Sequence, residues 1–119
     1  MCRPASTRRK VTMAERIPDA SEKMFQEKVI KLAKTAGWLV FHTPPYSPRH
    51  GVWRSAGKGF PDLCLTHPVK RRTIFAELKT AKGTMSKEQE DWGVALIASG
   101  AEWYLWRPAD MDTITELLW

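Results

Sequence analysis

The sequence predicts an α/β domain: a mixed four-stranded sheet flanked by helices, in the order helix, three strands, helix, strand, with a short C-terminal helix. Two segments carry apolar residues at helical spacing, and short apolar or aromatic segments lie between turn signals. At 119 residues the chain has the length of one domain with one core.

Residues 1–18 carry Arg3, Arg8, Arg9 and Lys10, show no apolar periodicity and end at Ile17-Pro18, so they read as a basic flexible arm preceding a domain over 19–119. From Ser21, which can N-cap, Phe25, Val29, Leu32, Ala33 and Ala36 fall on one helical stripe that Gly37 closes. Glu22, Gln26, Glu27, Lys31 and Lys34 are left to its margins or to solvent. Trp38 to Thr43 is a short apolar strand stopped by Pro44-Pro45. The loop from Pro44 to Gly59 carries Tyr46, Arg49, His50, Trp53, Arg54, Ser55 and Lys58, and loops this long in compact domains are often functional.

Leu63 to Thr66 and Arg72 to Lys79 then form an antiparallel hairpin around a turn at 67–71. Ser86, with Gln89 three places later, opens a second helix by a capping box, and Trp92, Ala95, Leu96 and Ser99 continue one face until Gly100. Glu102 to Arg107 is an aromatic strand broken by Pro108. Asp110 or Asp112 caps the last helix, whose apolar side is Ile114, Leu117, Leu118 and Trp119.

Lys and Arg number 19 against 13 Asp and Glu, for a net charge of +6, and this excess favours a polyanionic partner. It is unevenly spread: from Lys23 to Lys82 twelve basic residues face Glu27, Asp62 and Glu77, whereas from Gly83 onward Lys87 and Arg107 face seven acids. No run of apolar residues is long enough to span a bilayer, and no greasy signal segment is present. Cys2 and Cys64 form neither a disulfide framework nor a metal knuckle, which fits a reducing, cytoplasmic compartment. No pair among His42, His50, His67 and Cys64 has the spacing of zinc ligands.

Chemistry concentrates in the hairpin. Alternate strand residues share a face at about 6.6 Å for two steps, so Glu77 and Lys79 point together while Leu78 faces the core. With Asp62 across the hairpin on that face, two carboxylates can bind one hard cation beside an ammonium, leaving positions open for water and phosphate oxygens as Mg²⁺ requires. Phosphodiester hydrolysis needs a water-derived nucleophile and neutralisation of charge growing on the phosphoryl oxygens. Lys79 serves by taking a proton from the water if desolvation lowers its pKa, or by orienting the water and offsetting charge if it stays protonated. The E-x-K triplet alone is equally an ordinary cross-strand ion pair. Gly57-Lys58-Gly59-Phe60-Pro61-Asp62-Leu63 strengthens the hydrolytic reading, with Pro at a strand's first position and glycines where backbone can approach phosphate. Lys58 and Lys82 flank the motif strands in loops suited to phosphate contact, and Arg54 and Ser55 stand at the mouth of the long loop as a substrate clamp.

The succession G-F-P-D, F-A-E-L-K, S-K-E-Q-x-x-W and W-R-P-A-D resembles the PD-(D/E)XK nucleases, and within them the VRR-NUC domains, over about residues 21 to 115. Such domains occur alone in phages and bacteria and at the C-terminal end of the Fanconi-associated nuclease. The resemblance implies a restriction-endonuclease-like core, Asp62 and Glu77 as ligands of Mg²⁺ or Mn²⁺, and Lys79 as the catalytic lysine. It implies Glu22 as a further metal-site acid, since Glu22-x-x-Phe25 has the family's spacing, with Glu27 as a substitute. It places Gln89 near the active site, a role that competes with the capping box for one side chain. It also implies a bacterial cell or phage-infected host, and a homodimer cutting branched DNA such as four-way junctions.

Other readings of the same residues are a non-catalytic DNA-binding module of this fold and a flap or single-strand nuclease. The intact Asp62, Glu77 and Lys79 disfavour the module, because carboxylates in a cleft repel DNA unless a cation is bound. Trp38, Trp92, Trp103 and Trp106 read as packing residues rather than base-stacking platforms, while Trp53 in the loop is placed to wedge into DNA. The Leu117-Leu118-Trp119 tail either finishes the core or supplies a dimer interface.

Overall fold

The computed structural model describes residues 20–44 and 57–119. The arm over 1–18, and Trp53, Arg54 and Ser55 of the long loop, lie outside the described residues.

Helix α1 spans Ala20–Thr35. It starts before Ser21, so that serine sits in the first turn and is not the cap. Phe25, Val29 and Ala33 are buried as their spacing requires, and Gln26 is buried with them. Gln26 lies three residues before Val29 and so shares its inward face, which corrects the expectation of a margin position. Gly37, at a φ of 97°, ends the helix and turns the chain into strand β1, Leu39–His42.

Strands β2 (Leu63–His67) and β3 (Arg72–Leu78) form the expected hairpin. Helix α2, Lys87–Ala98, then crosses over to β4, Glu102–Trp106. The sheet order is β1-β2-β3-β4. β1 with β2 and β2 with β3 are antiparallel, and β3 with β4 is parallel, the arrangement that requires a crossover such as α2 between them. A short 3₁₀ turn, Pro108–Asp110, leads into α3, Met111–Leu118. Asp110 precedes α3 but its side chain makes no cap; its Oδ2 accepts a hydrogen bond from the Arg107 backbone N–H at 2.8 Å.

Leu63 and Leu65 of β2, Ile74, Ala76 and Leu78 of β3 and Trp106 of β4 pack with α1 and with Ile114 and Leu118 of α3. The Trp38 indole N–H donates to the Leu118 carbonyl at 2.8 Å and ties the chain's first strand region to its last helix. On the opposite face, Phe60 makes edge contacts with Phe75 and Trp92 at centroid distances of 5.9 and 4.9 Å. Helix α2 lies close on this face because Gly93 carries no Cβ, which would meet the Trp103 ring at 2.7 Å. Trp38 and Trp106 are deeply buried and Trp92 and Trp103 half-buried, in keeping with packing roles. Of the tail residues, Leu118 completes the core and Trp119 is exposed. At the open edge of the sheet, Leu39 and Phe41 of the four-residue β1 are exposed.

Candidate active site

The hairpin register brings the two acids together. Leu63 pairs with Ala76, so one step further the pairing sets Asp62 opposite Glu77. Their side chains lie on the face that carries Cys64, Phe75 and helix α2, away from the leucine core. Glu77 is 1% exposed, and the Lys79 ammonium stands 3.6 Å from its Oε2. Asp62 reaches across the hairpin, where its Oδ2 accepts a hydrogen bond from the Leu78 backbone N–H at 2.8 Å.

The segment before Asp62 is docked from two sides. Gly59, at a φ of 85°, passes so close to the first turn of α2 that an added Cβ would come within 2.5 Å of the Glu88 backbone. From the other side the Thr43 hydroxyl donates to the Pro61 carbonyl at 2.6 Å, and the Thr43 N–H donates to the Asp62 carbonyl at 2.8 Å. In the sequence Thr43 is only the last residue of a short strand. Nothing local marks it, because its partners are eighteen and nineteen positions away.

Gln89 performs both roles that the sequence set in competition. Its Oε1 accepts from the Ser86 N–H at 2.8 Å and its backbone N–H donates to the Ser86 hydroxyl at 3.2 Å, which completes the capping box of α2. Its Nε2 donates to Glu77 Oε2 at 2.7 Å. The two ends of one amide thus serve different partners, and the Ser86 N–H sets which end meets the glutamate.

Burial in this pocket disfavours negative charge. Glu77 is pushed up to about 8, first by desolvation and then by the neighbouring Asp62 carboxylate, with Lys79 drawing it back. Desolvation raises Asp62 too, against the Leu78 N–H, the charge of Lys79, a hydrogen bond from Glu77 and the charge of His42. Two negative charges side by side are therefore disfavoured here. Two buried carboxyl groups that resist carrying both charges are a donor set that a hard divalent cation fits, since its charge offsets their mutual repulsion.

The remaining predicted residues are dispersed. Glu22 lies half-buried in the first turn of α1. Among the described residues no group of three or more His, Cys, Asp or Glu side chains converges as a ready metal cluster, so Glu22 is not gathered with Asp62 and Glu77. Lys58 pairs with Glu88 of α2 at 3.6 Å. Lys82 is exposed in the loop after β3. No described helix is long and apolar enough to cross a membrane.

Comparison with known proteins bears on this geometry. The sequence model of the VRR-NUC domain matches residues 50–108, which include Asp62, Glu77, Lys79 and Gln89. A Fanconi-associated nuclease 1 homolog from Schizosaccharomyces pombe is 36% identical over 47 residues, a match that spans 40% of this chain and 7% of that protein. Among solved structures, a VRR_NUC domain protein superimposes with a TM-score of 0.62 at 15% identity, covering 86% of this chain and 88% of its own. The Holliday junction resolvase Hjc of Archaeoglobus fulgidus superimposes with a TM-score of 0.46 at 17% identity, covering 72% of this chain and 67% of its own.

Proposed function

The chain carries a VRR-NUC domain, and from that premise we propose that it is a divalent-metal-dependent endonuclease that hydrolyses phosphodiester bonds in DNA. The observation that carries the proposal is the convergence of Asp62 and Glu77 on one face of the sheet with the Lys79 ammonium 3.6 Å from Glu77. The nuclease name of the fission-yeast relative supports the same reading.

Asp62 and Glu77 would hold Mg²⁺ or Mn²⁺, and the bound ion supplies Lewis-acid charge next to the scissile phosphate. The Leu78 N–H fixes the Asp62 carboxylate, and the Gln89 amide fixes that of Glu77, so neither needs to reorganise when substrate arrives. Lys79 places a positive group where negative charge grows on the phosphoryl oxygens and where the attacking water must stand. In this reading Lys58, in the loop before β2, and Lys82, in the loop after β3, contact the DNA backbone. We propose branched DNA, such as a four-way junction, as the substrate and a homodimer as the acting species, because a symmetric junction suits a two-fold assembly.

The test is incubation of labelled four-way junction, flap and linear duplex with Mg²⁺, Mn²⁺ or EDTA. Metal-dependent cutting, strongest on the junction, is the expected result. DNA binding with no metal-dependent cutting would overturn the reading in favour of a non-catalytic module.

A further inference from the structure

Of the residues of the candidate site, Glu77 lies on β3 with Lys79 just past the strand's end, and Gln89 lies on α2. The link between them, residues 79–86, is fastened from a third place. Nη1 of Arg107, just beyond β4, donates to the carbonyls of both Thr80 and Gly83 at 2.7 Å. The turn has its own closure, the Gly83 N–H donating to the Thr80 carbonyl at 3.3 Å and to the Thr80 hydroxyl at 3.1 Å, and the guanidinium adds a charged donor that offsets the repulsion between the two converging carbonyl oxygens. Arg107 is itself anchored. Its backbone N–H donates to Asp110 Oδ2, and the preceding Trp106 carbonyl accepts from the Lys79 N–H at 3.0 Å.

Gly83 is the part of this turn that meets the site. A Cβ added there would stand 3.5 Å from Lys79 Cδ and 3.1 Å from the Thr80 hydroxyl, so the Gly83 backbone walls one side of the lysine stem. The stem is 16% exposed and ends 3.6 Å from Glu77.

We propose that Arg107 is a positioning residue: by gripping the Thr80 and Gly83 carbonyls it holds Gly83 against the Lys79 stem and keeps the ammonium aimed at Glu77. Its kinetic consequence rests on the hydrolytic reading above, but the contact itself does not. Arg107→Met keeps the length of the stem and removes both hydrogen bonds, whereas Arg107→Lys retains a donor able to bridge two carbonyls.

Two measurements test it on the full chain. The first is the nuclear Overhauser contact between the Gly83 α protons and the Lys79 δ protons. It is expected in the native protein, lost in Arg107→Met and restored in Arg107→Lys; its persistence in Arg107→Met overturns the proposal. The second is the cutting rate on the substrate the native protein cleaves. Arg107→Met is expected to lower kcat roughly 10- to 100-fold, as misplacement of a reacting group by about 1 Å can do, with KM within about twofold and most of the loss recovered by Arg107→Lys. A loss that follows only the folded fraction, with no recovery by lysine, overturns it. Should Arg107→Met fail to fold, Arg107→Gln, whose shorter side chain cannot reach both carbonyls, takes its place in both measurements with the same expected losses, and a retained proton contact with unchanged kcat there counts against the proposal. A native protein that cuts no nucleic acid removes the hydrolytic reading, and the proton contact still decides the role of Arg107.

Discussion

At the C-terminal end of β3 the two faces of the strand are buried to the same degree and made for opposite purposes. Leu78 is 0% exposed and Glu77 is 1% exposed, one residue apart. Leu78 turns into the core with Ile74 and Ala76, where removal from water stabilises the fold. Glu77 turns towards α2, where the same dryness works against its charge and has to be offset by Gln89 and Lys79. A single strand thus carries stability on one side and a destabilised, reactive group on the other. The difference shows that burial alone says nothing about role until the partners are named.

The widest gap between the faces should appear in activity. Glu77→Gln and Lys79→Ala are each expected to reduce metal-dependent cutting on the order of 10²- to 10⁴-fold, with the circular dichroism of the native fold retained. Undiminished turnover in Lys79→Ala would remove it from the mechanism. The mirror experiment is Leu78→Ala, which should cost about 2 to 5 kcal/mol in denaturant unfolding while the folded fraction still cuts. A loss of cutting without loss of stability there would erase the distinction between the faces.

A pH series sharpens the contrast without cutting. Glu77 holds its proton up to about 8 in the folded protein, against a usual 4.5 when unfolded. Between those values the native state binds more protons than the unfolded one, so stability in EDTA should fall as pH rises from about 5 to 8. Glu77→Gln should flatten that decline, and an equal slope in both proteins would contradict the assigned environment. Ser86→Ala comes next, with a loss of about 1 kcal/mol from the helix cap and a rate within about twofold of native, since the Ser86 backbone N–H that orients Gln89 remains. The smallest effect belongs to the rim. Lys58→Ala should leave stability within about 0.5 kcal/mol, yet lower the slope of log affinity for duplex DNA against log salt by about 0.9 if Lys58 meets a phosphate.

The part of this arrangement that was legible in the sequence is the part governed by short periods. Alternation along β3 separated Glu77 and Lys79 from Leu78, and the three-residue spacing of Ser86 to Gln89 marked the start of α2. Contacts that join distant segments left no such trace. Thr43 beside Asp62, Arg107 beneath Gly83, and the second use of the Gln89 amide depend on which elements become neighbours. Gln26 shows a related failure: its polarity suggested solvent, but the helical angle it shares with Val29 decides, and it is buried. Ser21 looked like a cap because it precedes an apolar stripe, yet the helix begins at Ala20.

The tight turn between β2 and β3 also bears on the order in which the molecule comes together. Four residues, Pro68 to Arg71, separate these strands, whereas the parallel partner β4 arrives after the whole of α2. Closing a short loop loses less chain entropy than closing a long one, so a nascent polypeptide can mate its acidic pair while the amide and the guanidinium that steady it are still unplaced. Pulse-labelled hydrogen exchange during refolding would then show the amides of Leu65 and Ile74, which face each other across the hairpin, protected ahead of those in Trp103 to Trp106, and simultaneous protection would exclude that sequence of events.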